Sequence, residues 1–348
     1  AHQVLIDGGP YYVYRNKRYI ARKTLSKRMT QLVADGGYLE LLVITHVDAD
    51  HIEGAVRLLA NRTPDLKIED VWFNAWRHLA PNPEDLLGPV QGEMLSALIQ
   101  EDELSWNAAE PFDGGSVMVH PAKPLPVTIL PGGLQLTLLS PTPPDLATLH
   151  DYWEEEVSDA GLDPDSPDQA LERLMDSRLK PDDLLGEGRP DVEMLAEEPF
   201  EGDHSPANGS SIAFLAEYEG KRCLLAGDAH PSVLEDSVQR LLDERGESRL
   251  QLDAFKLPHH GSKANLSPDL LRLLACDRYL VSTNGSYFDH PDQEAMARVL
   301  LYGGDEPTLL FNYRSEENEV WDDEILMEDF GYRAVYPAED HQGLVVDL

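Results

Sequence analysis

Basic residues are scarce in this chain: 28 lysines and arginines stand against 64 aspartates and glutamates, a formal charge of −36 over 348 residues. Phosphate backbones are held largely by Lys and Arg, and an acidic surface slows the approach of a polyanion. The imbalance argues against a protein whose main task is to coat nucleic acid. It is also uneven. Residues 151–203 carry 19 acidic and 4 basic side chains, a low-complexity stretch of net charge about −15. The one dense basic stretch is 15–28, with Arg15, Lys17, Arg18, Arg22, Lys23, Lys27 and Arg28. It reads first as an exposed face and second as a phosphate track. Such an excess of acid also fits a salt-adapted host.

Cysteine is scarce too. Cys223 and Cys276 both sit among apolar neighbours, which reads as small buried side chains rather than a disulfide or thiol chemistry. No apolar run reaches the roughly 18 residues of a membrane span, and no basic-then-apolar leader opens the sequence. Together these point to a cytoplasmic protein with no membrane partner. The chain opens almost directly on Val4-Leu5-Ile6-Asp7-Gly8-Gly9. That looks like the second strand of a domain, so further residues are expected before Ala1.

What is present is an alternation of strand and helix signals, the mark of an α/β layer. Strands are expected at 4–7, 39–46 and 71–76, with a helix at 52–60 between the second and third. A helix at 89–100 leads to a hairpin, 127–130 and 134–139, across Pro131-Gly132-Gly133. A further helix at 145–156 has proline in its first turn. The acidic insertion, about 158–207, is expected to be mobile, with one helix near 169–178. Beyond it a second hairpin (211–218, 222–225) is expected, followed by helix 231–242, strand 252–257 and helix 267–274 capped by Ser267. Strand 278–282, helix 293–301 and strand 308–311 complete the core. A C-terminal extension, about 313–348, adds a helix and a strand at 342–346.

The greasy run 41–44 empties into Thr45-His46-Val47-Asp48-Ala49-Asp50-His51-Ile52-Glu53-Gly54. Two imidazoles and two carboxylates within six residues at a strand exit have no ordinary structural use. Crowding carboxylates without a counter-charge is costly, and a divalent cation removes that cost. Asp7, Asp228 and His259-His260 likewise fall at or just past the ends of expected strands. Ligands drawn from several strand ends converge on one sheet edge. The pattern therefore points to a metal-dependent hydrolase.

The residues from His46 to His51 resemble the His-x-His-x-Asp-His signature of the metallo-β-lactamase superfamily, with Asp48 replacing its second histidine. Asp7 in Ile-Asp-Gly-Gly, Asp228 in Leu-Leu-Ala-Gly-Asp and a later histidine follow in the family's order. Asp48, the run Lys256-Leu257-Pro258-His259-His260-Gly261-Ser262-Lys263, and Asn284 with His290-Pro291 together resemble the C-terminal hydrolase domain of ComEC competence proteins and its free-standing relatives. The resemblance spans residues 1 to about 312, interrupted by the acidic insertion. It departs from the superfamily at Ala207-Asn208, where a third-motif histidine is expected; the ComEC-like branch carries asparagine and serine there, as Asn208 and Ser210 do.

The resemblance implies an αββα sandwich, two mixed sheets back to back with helices outside, forming one metallo-hydrolase domain over 1–348. It implies that His46 and Asp48 hold one ion, that Asp50 and His51 hold a second, and that Asp228 bridges them. His259, His260 or both complete the shell. Asp50 and His260 are the expected catalytic groups. Asp7 is expected to orient a ligand histidine. Asn208, Ser262, Lys263, Asn284 and His290 are expected around the ligands or the substrate. An aspartate at 48 makes the site harder and richer in oxygen, so the expected cofactor is two divalent ions, Zn²⁺ first and Mn²⁺ second.

The leading expectation is thus a dinuclear metal-dependent phosphodiesterase or nuclease acting on a phosphate-containing substrate, single-stranded DNA or a nucleotide derivative. One alternative is a hydrolase of a small phosphoester, lactone or thioester. Another is a non-catalytic metal-binding protein that meets a partner through the acidic insertion, in a bacterial defence or signalling complex. Trp72, Trp76 and Trp153 read as packing groups, and His78, His120, His150, His230 and His341 as surface or structural histidines.

Overall fold

A computed structural model describes residues 2–14, 24–61, 65–79, 90–159, 190–286, 288–338 and 343–348. The helix expected near 169–178, the basic residues between 15 and 23, and His341 lie outside the described residues. The chain is of α/β type and divides into two compact units, Ala1–Arg178 with Ser205–Ile212, and Leu179–His204 with Ala213–Leu348.

In the first unit, strands β1 (Val4–Ile6), β2 (Leu41–Val43) and β3 (Val71–Trp72) form a parallel sheet in that order. The side chains of β2 are wholly buried, as expected of a central parallel strand covered on both faces. Helices α1 (Tyr11–Tyr14), α2 (Leu25–Ala34), α3 (Ala49–Ala60), α4 (Val90–Glu101) and α5 (Pro143–Asp159) accompany it. Ile52, Ala55, Val56 and Leu59 recur at helical spacing on α3. They share one core with Leu42 and Ile44 of the sheet side, Leu95 and Leu98 of α4, and Trp76 and Trp153. Strands β4 (Val127–Ile129) and β5 (Gln135–Ser140) make an antiparallel hairpin.

In the second unit the sheet runs in the order β13, β12, β11, β9, β7, β6. Its strands are β6 (Ala213–Tyr218), β7 (Lys221–Leu225), β9 (Ala254–Lys256), β11 (Arg278–Val281), β12 (Thr308–Phe311) and β13 (Arg333–Val335). β6 and β7 are an antiparallel hairpin turning at Glu219-Gly220, both at positive φ, as a two-residue hairpin turn requires. From β7 through β9 and β11 to β12 and β13 all pairings are parallel. The C-terminal ends of β7, β9 and β11 therefore share one edge. Strands β8 (Leu250–Gln251) and β10 (Leu274–Ala275) pair separately. The helices are α6 (Val192–Glu197), α7 (Pro231–Arg245), α8 (Pro268–Leu273), α9 (Gln293–Tyr302), α10 (Glu316–Glu319) and α11 (Glu324–Phe330). Ser267 caps α8 by accepting from the Leu270 N–H, and Pro268 occupies its first turn.

Two expectations need correction. The strand at 71–76 stops at Trp72 because the Phe73 N–H is taken by the Asn107 side chain, and a 3₁₀ turn follows at Trp76–His78. The last strand is Arg333–Val335, beside β12; the described residues of 342–346 carry no strand, and Val345 is 88% exposed. No helix among the described residues is long and apolar enough to cross a membrane.

Candidate metal centre

The first unit delivers its chemistry from two neighbouring strand ends. After β1 the chain enters the left-handed region at Asp7 (φ 56°), a conformation that aspartate tolerates better than most residues. The Asp7 N–H still pairs with Val43 O (2.8 Å), while its carboxylate accepts the Thr45 N–H, the Thr45 hydroxyl and His51 Nδ1–H, each at 2.8 Å. Beyond Asp7 the Gly8 N–H donates to His51 O and the Gly54 N–H to Gly9 O, at 2.8 and 2.7 Å. This loop lies so close to α3 that a Cβ on Gly8 would stand 2.0 Å from Ala55 N, and one on Gly54 2.0 Å from Gly8 O. The first turn of α3, which carries Asp50 and His51, is thereby fixed against the sheet edge.

Asp48 occupies the N-cap of α3, yet its side chain makes no capping hydrogen bond. Aspartate is among the best capping residues; here the carboxylate instead faces His46, Oδ2 to Nε2 3.5 Å. Asp50 Oδ2 lies 3.9 Å from His51 Nε2. The His46 and His51 rings are 4.2 Å apart between centroids, and ring nitrogens of the two come within 4.8 Å of each other.

In the second unit Asp228 follows β7, and His259 and His260 follow β9, on the shared edge. Asp228 is 2% exposed. Its Oδ2 lies 3.8 Å from His259 Nε2 and 4.0 Å from His260 Nε2. Both histidines hold left-handed backbone conformations (φ 43° and 57°) within a 3₁₀ turn at Pro258–Gly261. Two consecutive non-glycine residues in that region are strained, and in this turn both rings lie within 4.0 Å of the carboxylate.

The separations and the ring contacts both suit a cation. Two ligands about 2.1 Å from a tetrahedral ion stand about 3.4 Å apart. The four imidazole–carboxylate distances, 3.5–4.0 Å, exceed a hydrogen bond and fall near that spacing. All four imidazoles also engage Nδ1. His51 Nδ1–H donates to Asp7, His260 Nδ1–H to Ser282 O (2.7 Å) and His259 Nδ1–H to Asn265 Oδ1 (2.8 Å). The Thr45 hydroxyl gives its proton to Asp7, so His46 Nδ1–H donates to Thr45 Oγ1 (3.0 Å). In its neutral form each ring therefore presents the Nε2 lone pair. Imidazole nitrogens and carboxylate oxygens in this mixture fit Zn²⁺ or Mn²⁺.

The remaining expected residues are placed as follows. The His290 ring centroid lies 5.0 Å from that of His259 and 6.5 Å from that of His260, with Nδ1 3.3 Å from Asp292. Burial pushes the Asp292 carboxyl up, but the contacts with His290 and Lys263 outweigh it and hold the group below the usual range. Lys263 does not reach toward the histidines; its Nζ pairs with Glu294 at 2.6 Å. Ser262 is buried and accepts the Ala264 N–H. Asn284 accepts from the Ser286 N–H and hydroxyl within its own loop. Asn208 is buried in a short helical turn, Pro206–Gly209, of the first unit, and nearby Ile212 donates to Thr45 O. No family model matches this chain, and no curated protein does. Three contributors escaped the sequence reading: Thr45, Asn265 and Asp203. Thr45 abuts the motif and was readable by position; the other two depend on loop geometry that carries no periodic signal.

Proposed function

We propose that the chain is a dinuclear metal-dependent hydrolase with the αββα sandwich architecture of the metallo-β-lactamase superfamily, acting on a phosphodiester. The observation that carries this reading is the orientation of four imidazoles by their Nδ1 contacts, each offering Nε2 beside a carboxylate. In this reading His46, Asp48, Asp50 and His51 would hold metal from the first unit, and Asp228 and His259 would do so from the second. A pair of divalent ions supplies Lewis acidity and an ionised water at neutral pH. Asp7, through His51 Nδ1, keeps that ring in the ligating tautomer. His260 already gives its Nδ1 proton to Ser282 O, so a proton at Nε2 makes it an imidazolium, able to donate to a leaving oxygen.

The test is hydrolysis of bis(p-nitrophenyl) phosphate and of single-stranded DNA with Zn²⁺ or Mn²⁺ added. Turnover that Asp50→Ala abolishes supports the reading; no turnover with either metal overturns it. The charge of −36 favours a second reading on the same residues, a small phosphoester, lactone or thioester in place of a nucleic acid. Turnover of bis(p-nitrophenyl) phosphate without cleavage of DNA would select it.

A further inference from the structure

Asn265 is fully buried, and its carboxamide has three partners. Nδ2 donates to Asp203 Oδ2 (2.9 Å) and to Asp228 O (3.0 Å), both acceptors. The amide orientation is thus settled, and Oδ1 must face His259 Nδ1, at 2.8 Å. An oxygen there can only accept, so the His259 ring carries its proton on Nδ1 and presents Nε2 to Asp228. Asp203 stands behind the amide, its Oδ2 3.7 Å from His259 Nδ1. The support extends further. The Asp203 N–H donates to Ala264 O, and the buried Arg298 guanidinium donates to Lys263 O and Leu266 O, gripping the loop on either side of Asn265. We propose that Asn265 and Asp203 are positioning residues that lock His259 in the Nδ1–H tautomer and turn Nε2 toward the metal. Asp203 gives the end of the acidic stretch a use beyond solvation.

This inference deepens the metal-site reading and rests on it for its metal arm alone. The tautomer itself is measured on metal-free protein. Long-range ¹⁵N–¹H spectra of the histidine rings are recorded at pH 8, where an ordinary imidazole is neutral. The expected result is His259 protonated at Nδ1 in the native chain. Asn265→Leu, which removes the acceptor, should move the ring toward the Nε2–H form, and Asp203→Ala, which leaves the amide held by the Asp228 carbonyl alone, should do so in part. Zn²⁺ titration should then show Kd raised about tenfold or more, the usual effect of losing such a contact. Asp203→Ala keeps the test alive if Asn265→Leu fails to fold. An Nε2–H tautomer in the native chain, or a folded variant with unchanged ring signals and unchanged Zn²⁺ affinity, overturns the proposal. Loss of hydrolysis alone does not bear on it, and a locked tautomer in a chain without turnover would fault the hydrolase reading instead.

Discussion

Single side chains here are set by what their second polar atom touches. Asp7 holds His51 through Nδ1 at 2.8 Å; Asp7→Ala should leave the ring free to change tautomer and raise the Zn²⁺ Kd about 10- to 100-fold by calorimetry. Asp7→Asn should fall between the two. An unchanged Kd would contradict the positioning role given to Asp7. His78, by contrast, has a structural use. Burial, and then the charge of Arg77, push its imidazole down to about 4, and its Nδ1 accepts the Ala75 N–H. The unfolded chain binds that proton at an ordinary pKa of 6.5 while the folded chain does not. The contribution of His78 is therefore full above about pH 6.5 and is lost as the pH falls toward 4, about 3 kcal/mol in all. Urea melts at pH 7.5 and 5 should show a smaller loss in His78→Gln than in the native chain. The two cysteines are inert for a similar reason, since burial pushes their thiols up to about 11 and about 12.

Elements carry the site by how they end. The loop after β1 and helix α3 are in backbone contact at Gly8 and Gly54, with no space for a Cβ on either. Gly54→Ala should cost about 1–3 kcal/mol in urea denaturation, the range for overpacking, and should lower metal affinity because Asp50 and His51 ride on the displaced turn. Full stability in that variant would mean the contact is looser than described. Removing the cap of α8 with Ser267→Ala should cost about 1 kcal/mol. The central strands and long helices were legible in the sequence because their burial is written in apolar runs and 3.6-residue spacing. Thr308–Phe311 was read to the residue. What was not legible depends on single hydrogen bonds. One Asn107 side chain ends β3, two left-handed histidines make the 258–261 turn, and Arg-Ala-Val at β13 has no alternation to read. Helix α2 was hidden because its Lys27 and Arg28 read as part of a basic stretch, although Leu25 and Met29 bury one face. The candidate ligands at 46–51 stood out from density of ligand types alone. The contacts that orient them were not, except that Asp7 was expected to hold a histidine.

At the scale of the whole chain, charge decides what approaches. With a net charge of −36, cleavage of single-stranded DNA should become faster as salt rises from about 50 to 200 mM. Screening weakens repulsion over a Debye length of about 10 Å, whereas hydrolysis of a small substrate should change little. A steep fall in DNA cleavage with salt, the ordinary sign of basic phosphate contacts, would show that a cationic track dominates binding. The central claim is that the oriented imidazoles and their neighbouring carboxylates hold divalent metal. Elemental analysis of the purified, metal-reconstituted chain tests it most directly, with the native protein measured beside His51→Ala and Asp228→Ala. The account expects about two equivalents of Zn²⁺ or Mn²⁺ in the native chain and fewer in both His51→Ala and Asp228→Ala, each of which lacks a proposed ligand. A native chain without stoichiometric metal, or an Asp228→Ala chain that keeps both equivalents, would contradict it.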